Sequence, residues 1–130
     1  MFLGGKEQRT IRAKRTFHKD EFVVEYRGKL IKGAAAIAKI RPEAGNFLME
    51  FTWNGQKWAI DAASEEKAWK GRLINHSIQM ANLRKHVEEV DGAPRVVFIA
   101  AVEIAEGNEL FYDYGDRSKR SLEAFPFLAV

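Results

Sequence analysis

Hydrophobic and polar positions along the chain mark out many short elements rather than a few long ones. Phe22-Val23-Val24-Glu25-Tyr26 is β-branched and aromatic and stops at Gly28, the pattern of a strand. Ala34–Ile40 is rich in alanine and suits a short helix ended before Pro42, because the residue preceding proline is pushed away from helical angles. Phe47–Trp53 and Gln56–Ala59 flank Asn54-Gly55, the dipeptide that supplies the positive φ angles of a two-residue hairpin turn. Ser64–Trp69 is predicted as a short helix, with Ser64 as its cap and Glu65 and Glu66 near its positive end.

A second hairpin is predicted from Leu83–Val90 and Arg95–Ala101 across the turn Asp91-Gly92-Ala93-Pro94. The run Arg95–Ala101 is almost continuously apolar, which predicts a central strand covered on both faces. Ala105-Glu106-Gly107-Asn108 is a further turn, Glu109–Tyr114 a further short strand, and Ser118–Ala124 a closing helical turn before Pro126. No repeat, low-complexity tract or linker interrupts this order. The expectation is a single mainly β domain over 1–130, with short helices at its margins.

Composition sharpens the picture by exclusion. The 130 residues are 46% hydrophobic and 30% charged, a globular balance. Cysteine is absent, which removes disulfides, thiolate metal sites and a cysteine nucleophile. The three histidines, His18, His76 and His86, lack metal-ligand spacing, and no phosphate-cradling glycine loop or nucleophile elbow occurs. No apolar run reaches the length of a membrane span, and Met1–Arg9 lacks a signal-peptide centre, so a cytosolic or nuclear protein is expected. The net charge of +3 is concentrated in Lys6, Arg9, Arg12, Lys14, Arg15 and Lys19. That cluster is either a solvated face or a patch for nucleic-acid phosphate; no aromatic stacking pattern accompanies it.

Two segments hold the candidate chemistry. Tyr112 and Tyr114 lie two apart on one predicted strand, which puts their rings on one face. Such pairs can simply pack a sheet. Asn75-His76 follows apolar Leu73-Ile74, where the pair either caps a turn or holds a ligand at the end of a buried segment. Neither pattern selects a function alone.

Taken in order, Gly71-Arg72-Leu73-Ile74-Asn75-His76-Ser77 and Glu109-Leu110-Phe111-Tyr112-Asp113-Tyr114-Gly115 resemble the paired signature of SET-domain protein-lysine methyltransferases. Asp116-Arg117-Ser118, Ser121-Leu122-Glu123-Ala124 and the Phe22–Tyr26 strand narrow the resemblance to the subfamily that mono-methylates a lysine in the tail of core histone four. It implies a fold of small sheets with a C-terminal pseudoknot that brings Asn75-His76 against Glu109–Tyr114, with 116–130 as a cover. It implies S-adenosylmethionine as methyl donor and a histone or other lysine-bearing tail as acceptor. It further implies a nuclear, chromatin-bound location; a monomer is expected, and the basic N-terminal cluster is a candidate contact for nucleosomal DNA.

By position in the motifs, Tyr114 is similar to the family's catalytic tyrosine, Tyr112 to the residue that tunes methylation number, and Tyr26 to a third wall of the lysine channel. Asn75, His76, Arg9, Phe47 and Phe127 are similar to cofactor-binding positions. The chain departs from the family where many members carry Lys-Gly-Arg-Gly: here the stretch is Glu7-Gln8-Arg9-Thr10. Phe47 and Phe127 stand where a tyrosine and a tryptophan are expected. These departures motivate an alternative, a SET-like module that binds a lysine-bearing peptide or nucleosome without turnover. Met1-Phe2 falls so near the start of the fold that flanking sequence is left open.

Overall fold

The computed structural model describes residues 10–40, 47–63 and 70–114. Eight strands and one helix are formed among them: β1 (Phe22–Tyr26), β2 (Lys29–Lys32), α1 (Ala34–Ala38), β3 (Leu48–Trp53), β4 (Gln56–Asp61), β5 (Asn75–His76), β6 (Leu83–Val90), β7 (Ala93–Ala100) and β8 (Phe111–Tyr112). One sheet has strand order β1-β7-β6-β8-β5 and another β2-β4-β3. The helices expected over Ser64–Trp69 and Ser118–Ala124 lie outside the described residues. The chain divides into two compact units, one of Met1–Val23, Leu73–Lys85 and Phe98–Val130, the other of Val24–Arg72 and His86–Val97.

The first unit is closed by its N-terminal segment. Leu110 donates its N–H to the Ile11 carbonyl at 2.8 Å, Ala13 donates to Asn108 at 2.9 Å, and Phe17 and Ile104 exchange both bonds at 2.9 Å. Residues 11–17 therefore run antiparallel along 104–110, and Ala13, Phe17, Ile104 and Leu110 are buried beneath them. The pairing uses the basic residues locally: Arg12 donates to the Gly107 carbonyl at 3.0 Å, and Arg15 donates to Thr16 at 2.8 Å and pairs with Glu21 at 3.3 Å.

In the second unit, β4 pairs with β2 on one side and β3 on the other. Opposite residues share a face, so Met49 with Ile60 and Phe51 with Trp58 line one apolar side. The β3–β4 turn falls where Asn54-Gly55 requires it, with φ of 51° and 75°. The β6–β7 turn is shorter than expected: Asp91 and Gly92, at φ 53° and 80°, form a two-residue turn and Ala93-Pro94 belong to β7. Asp-Gly alone meets the two positive φ angles of such a turn, and a proline near the start of a strand leaves the ladder nearly intact. From Val96 to Ala100 every residue of β7 is buried, as a central strand demands.

Gly71, in a 3-10 turn over Lys70–Leu73, marks a close approach of two backbones. A Cβ there would meet the Glu25 carbonyl oxygen at 2.6 Å. Gly71→Ala should therefore destabilise the fold by about 1–3 kcal/mol, read as a lowered thermal midpoint; an unchanged midpoint would contradict the packing described.

Candidate active site

The pieces singled out in the first unit meet around β8. Only two residues long, β8 pairs in parallel with β5 through Asn75 opposite Phe111 and His76 opposite Tyr112. Its other side pairs in parallel with β6 through Leu83 opposite Tyr112. The C-terminal segment is thus threaded between two earlier strands, which is the pseudoknot the resemblance implies. Ser77 donates to the Tyr112 carbonyl at 3.2 Å and Asn82 to that of Phe111 at 3.0 Å, extending the seam at both sides.

This seam places four rings in a row. Tyr112, 6% exposed, lies 4.4 Å from the Phe98 ring centre and 4.7 Å from that of Tyr114. The Tyr114 ring is in turn 4.8 Å from the His76 imidazole. Tyr114 is past the end of β8, and two hydrogen bonds to the β5 region fix it. Its phenol donates to the Ile74 carbonyl at 2.9 Å, and its backbone N–H donates to His76 Nδ1 at 2.9 Å. The second bond needs Nδ1 without a proton, so a neutral His76 carries its proton on Nε2. Protonation of Nδ1 would turn the acceptor into a donor and break the link.

The Tyr114 hydroxyl has a defined chemistry as a result. Its proton is committed to Ile74, so what it can offer a further group is lone pairs. Burial pushes its ionisation well above that of a free tyrosine, because the phenolate would lose its hydration. The group is a neutral acceptor, not a base.

Asn75 donates from Nδ2 to the Glu109 carboxylate at 2.9 Å, a partly buried contact between the two signature segments. Asn82 is a participant that pattern reading did not single out. Its Nδ2 donates to the Glu109 carbonyl at 3.0 Å and its Oδ1 accepts from the Phe111 N–H at 2.9 Å. Nothing in its sequence neighbourhood announces this, since a loop asparagine is usually a turn former.

Tyr26 and Phe47 are in the second unit. Tyr26 is 2% exposed and borders a cleft of about 380 Å³ whose walls include Arg27, Leu30, Ile60, Pro94 and Arg95. Phe47 carries the Arg72 guanidinium over its ring at 4.8 Å, and Arg72 Nη1 donates to the Ala62 carbonyl at 3.1 Å. Arg72 Nε is buried with no hydrogen-bond partner among the described residues. Arg9 and Phe127 lie outside the described residues. Among the described residues no group of histidine and carboxylate side chains could hold a metal.

Comparison with known proteins agrees with this geometry. The family model described as SET domain matches residues 8–115, and the chain belongs to that family. It is 43% identical over 125 residues to histone-lysine N-methyltransferase set-1 of Caenorhabditis elegans, covering 92% of this chain and 51% of that protein. It is 38% identical over 132 residues to N-lysine methyltransferase KMT5A-A of Danio rerio, covering 98% of this chain and 38% of that one. The chain thus spans about half or less of the curated relatives it matches. In structure it is similar to CpSET8 from Cryptosporidium, with a TM-score of 0.71 and 32% identity over 79% of this chain and 50% of that chain.

The raised ionisation of Tyr114 has a measurable sign. An unfolded tyrosine gives up its proton near pH 10, whereas folded Tyr114 keeps it, so folding stability should fall as pH rises through that range. In an ultraviolet titration, wild-type protein and Tyr114→Phe should give the same phenolate signal around pH 10. A step near pH 10 present only in the wild type would contradict the buried, neutral hydroxyl.

Proposed function

We propose that the chain is an S-adenosylmethionine-dependent protein-lysine N-methyltransferase that adds one methyl group to a lysine of a histone tail, working on chromatin in the nucleus. The observation that carries this reading is the locked Tyr114, its hydroxyl held by the Ile74 carbonyl, its backbone N–H by His76 and its ring packed on Tyr112.

S-adenosylmethionine, when bound, supplies an electrophilic methyl group on a sulfonium centre. The residues present fit it. β5 stands at the end of the sheet order, paired with β8, and its peptide groups are of the donor and acceptor kind that an adenine uses. Arg72 Nε is a buried donor of the kind a carboxylate satisfies. Asn75 and His76 are proposed to hold the cofactor, with Phe47, Arg9 and Phe127 assigned to it through the family resemblance.

Methyl transfer requires the lysine amine in its neutral form, and aromatic walls assist by desolvating the ammonium. The Tyr114 oxygen, with its own proton given to Ile74, accepts an N–H of the amine and so fixes where the nitrogen lone pair points. Because burial keeps that phenol neutral, it orients the amine and does not remove its proton; the proton leaves to water. Orientation of this kind is a large share of the acceleration in a two-substrate step. Tyr112, clamped between Phe98 and Tyr114, fixes the room beside the amine and admits one methyl group. Tyr26 is assigned to the lysine channel through the family resemblance. Contact with nucleosomal DNA is a lesser part of the reading, since Arg12 and Arg15 are already engaged with their own chain.

Steady-state transfer to a histone-tail peptide tests the assignment. Tyr114→Phe should slow turnover by about 10²-fold or more, and Tyr112→Phe should remain active while releasing doubly methylated product. Turnover by Tyr114→Phe at the wild-type rate would refute the role given to the hydroxyl. Peptide binding by a wild-type chain that binds no S-adenosylmethionine would instead favour a non-catalytic module.

A further inference from the structure

The segment Glu109-Leu110-Phe111 has a backbone problem that its own strand does not solve. Leu110 is served on one side by the Ile11 carbonyl at 2.8 Å. The Glu109 carbonyl and the Phe111 N–H, on either side of Leu110, need partners too, and β6 begins only at Leu83. The Asn82 carboxamide takes the place of the missing peptide unit. Its Nδ2 donates to the Glu109 carbonyl at 3.0 Å and its Oδ1 accepts from the Phe111 N–H at 2.9 Å. Asn82 is itself held fast: its N–H donates to the Phe111 carbonyl at 3.0 Å and its carbonyl accepts from Ala101 at 2.9 Å. A carboxamide is required, because only it presents a donor and an acceptor in one plane at this length.

We propose that Asn82 is a positioning residue for the reaction, whose carboxamide clamps the Glu109–Phe111 backbone and thereby sets where the Tyr112 and Tyr114 rings stand. This rests on the methyltransferase reading above. Phe111 is followed directly by Tyr112, whose ring is packed at 4.4 Å on Phe98 and 4.7 Å on Tyr114, so a shift of the clamp moves both rings together. Asn75 acts on the same residue from the other side by holding the Glu109 carboxylate at 2.9 Å. Glu109 is thus gripped by two asparagines, one at its side chain and one at its backbone. The consequence is chiefly on rate and product number, because the two rings meet only the reacting amine and not the rest of the acceptor peptide.

Asn82→Asp keeps the shape and the acceptor but sets a carboxylate oxygen against the Glu109 carbonyl; Asn82→Ala removes both bonds. Each variant is assayed with a histone-tail peptide, at a temperature where its melting curve shows it folded, and products are resolved by mass. Turnover per folded molecule should fall roughly 10- to 100-fold, as small misplacements of reacting groups do. The peptide KM should stay within about threefold, and doubly methylated product should appear. A residue that mattered only for folding would lower the folded fraction and leave the product a single methyl. Folded variants with wild-type turnover and a single-methyl product overturn the proposal, and if Asn82→Asp fails to fold, Asn82→Ala decides. A wild-type chain that transfers no methyl would instead overturn the reading on which the proposal rests.

Discussion

A two-residue strand has too few ladder bonds to hold itself, so Phe111–Tyr112 can exist only if its flanks are captured. The parallel pairing of that strand between Asn75–His76 and Leu83 is the constraint on which the site depends. Parallel neighbours cannot be joined by a tight turn, so the chain between them must leave and return, here through the β6–β7 hairpin and the 104–110 segment. The closure entropy of so long an excursion is offset locally by side chains: Asn82 on the backbone of Glu109 and Phe111, Asn75 on the Glu109 carboxylate, His76 on the Tyr114 N–H. The bonds of Asn82 and His76 replace backbone partners that a longer strand would have supplied. Polar side chains at the seam therefore hold the structure on which the proposed chemistry rests.

The same seam decides what Tyr114 can do. Donation to the Ile74 carbonyl removes the phenol proton from play, and burial removes the phenolate. What is left is a fixed neutral oxygen beside a fixed ring stack, which suits orientation of an amine better than proton abstraction. On the proposed reading, the lysine proton leaves to solvent and the protein's part is to keep the amine desolvated and aimed.

Local chemistry made part of this legible. Asn54-Gly55 and Asp91-Gly92 announce their turns because few residues accept positive φ twice in succession. The apolar run of β7 announces a central strand; the rings of Tyr112 and Tyr114 do meet, although the strand expected over Glu109–Tyr114 ends at Tyr112 and leaves Tyr114 beyond it. Pro94 obscured the second turn by suggesting a longer loop, whereas Asp91 and Gly92 suffice. The strand Lys29–Lys32 gave no clear signal, its lysines framing only two apolar residues. Asn75-His76 as a strand was invisible to periodicity, since two polar residues have no period. The pairing of that dipeptide with β8 is a long-range contact that only the paired signature of the family brought to view. Asn82 had no signal at all, because its function depends on where residues far along the chain return.

On the proposed reading, this seam builds a site for single methyl transfer to lysine. Mass spectrometry of histones and nucleosomes incubated with the chain and S-adenosylmethionine tests it most directly. A histone-tail lysine heavier by one methyl group is expected, with no further addition on long incubation. Histones left unmodified while the chain binds S-adenosylmethionine and the tail, or a lysine carried to two or three methyl groups by the wild type, would contradict it.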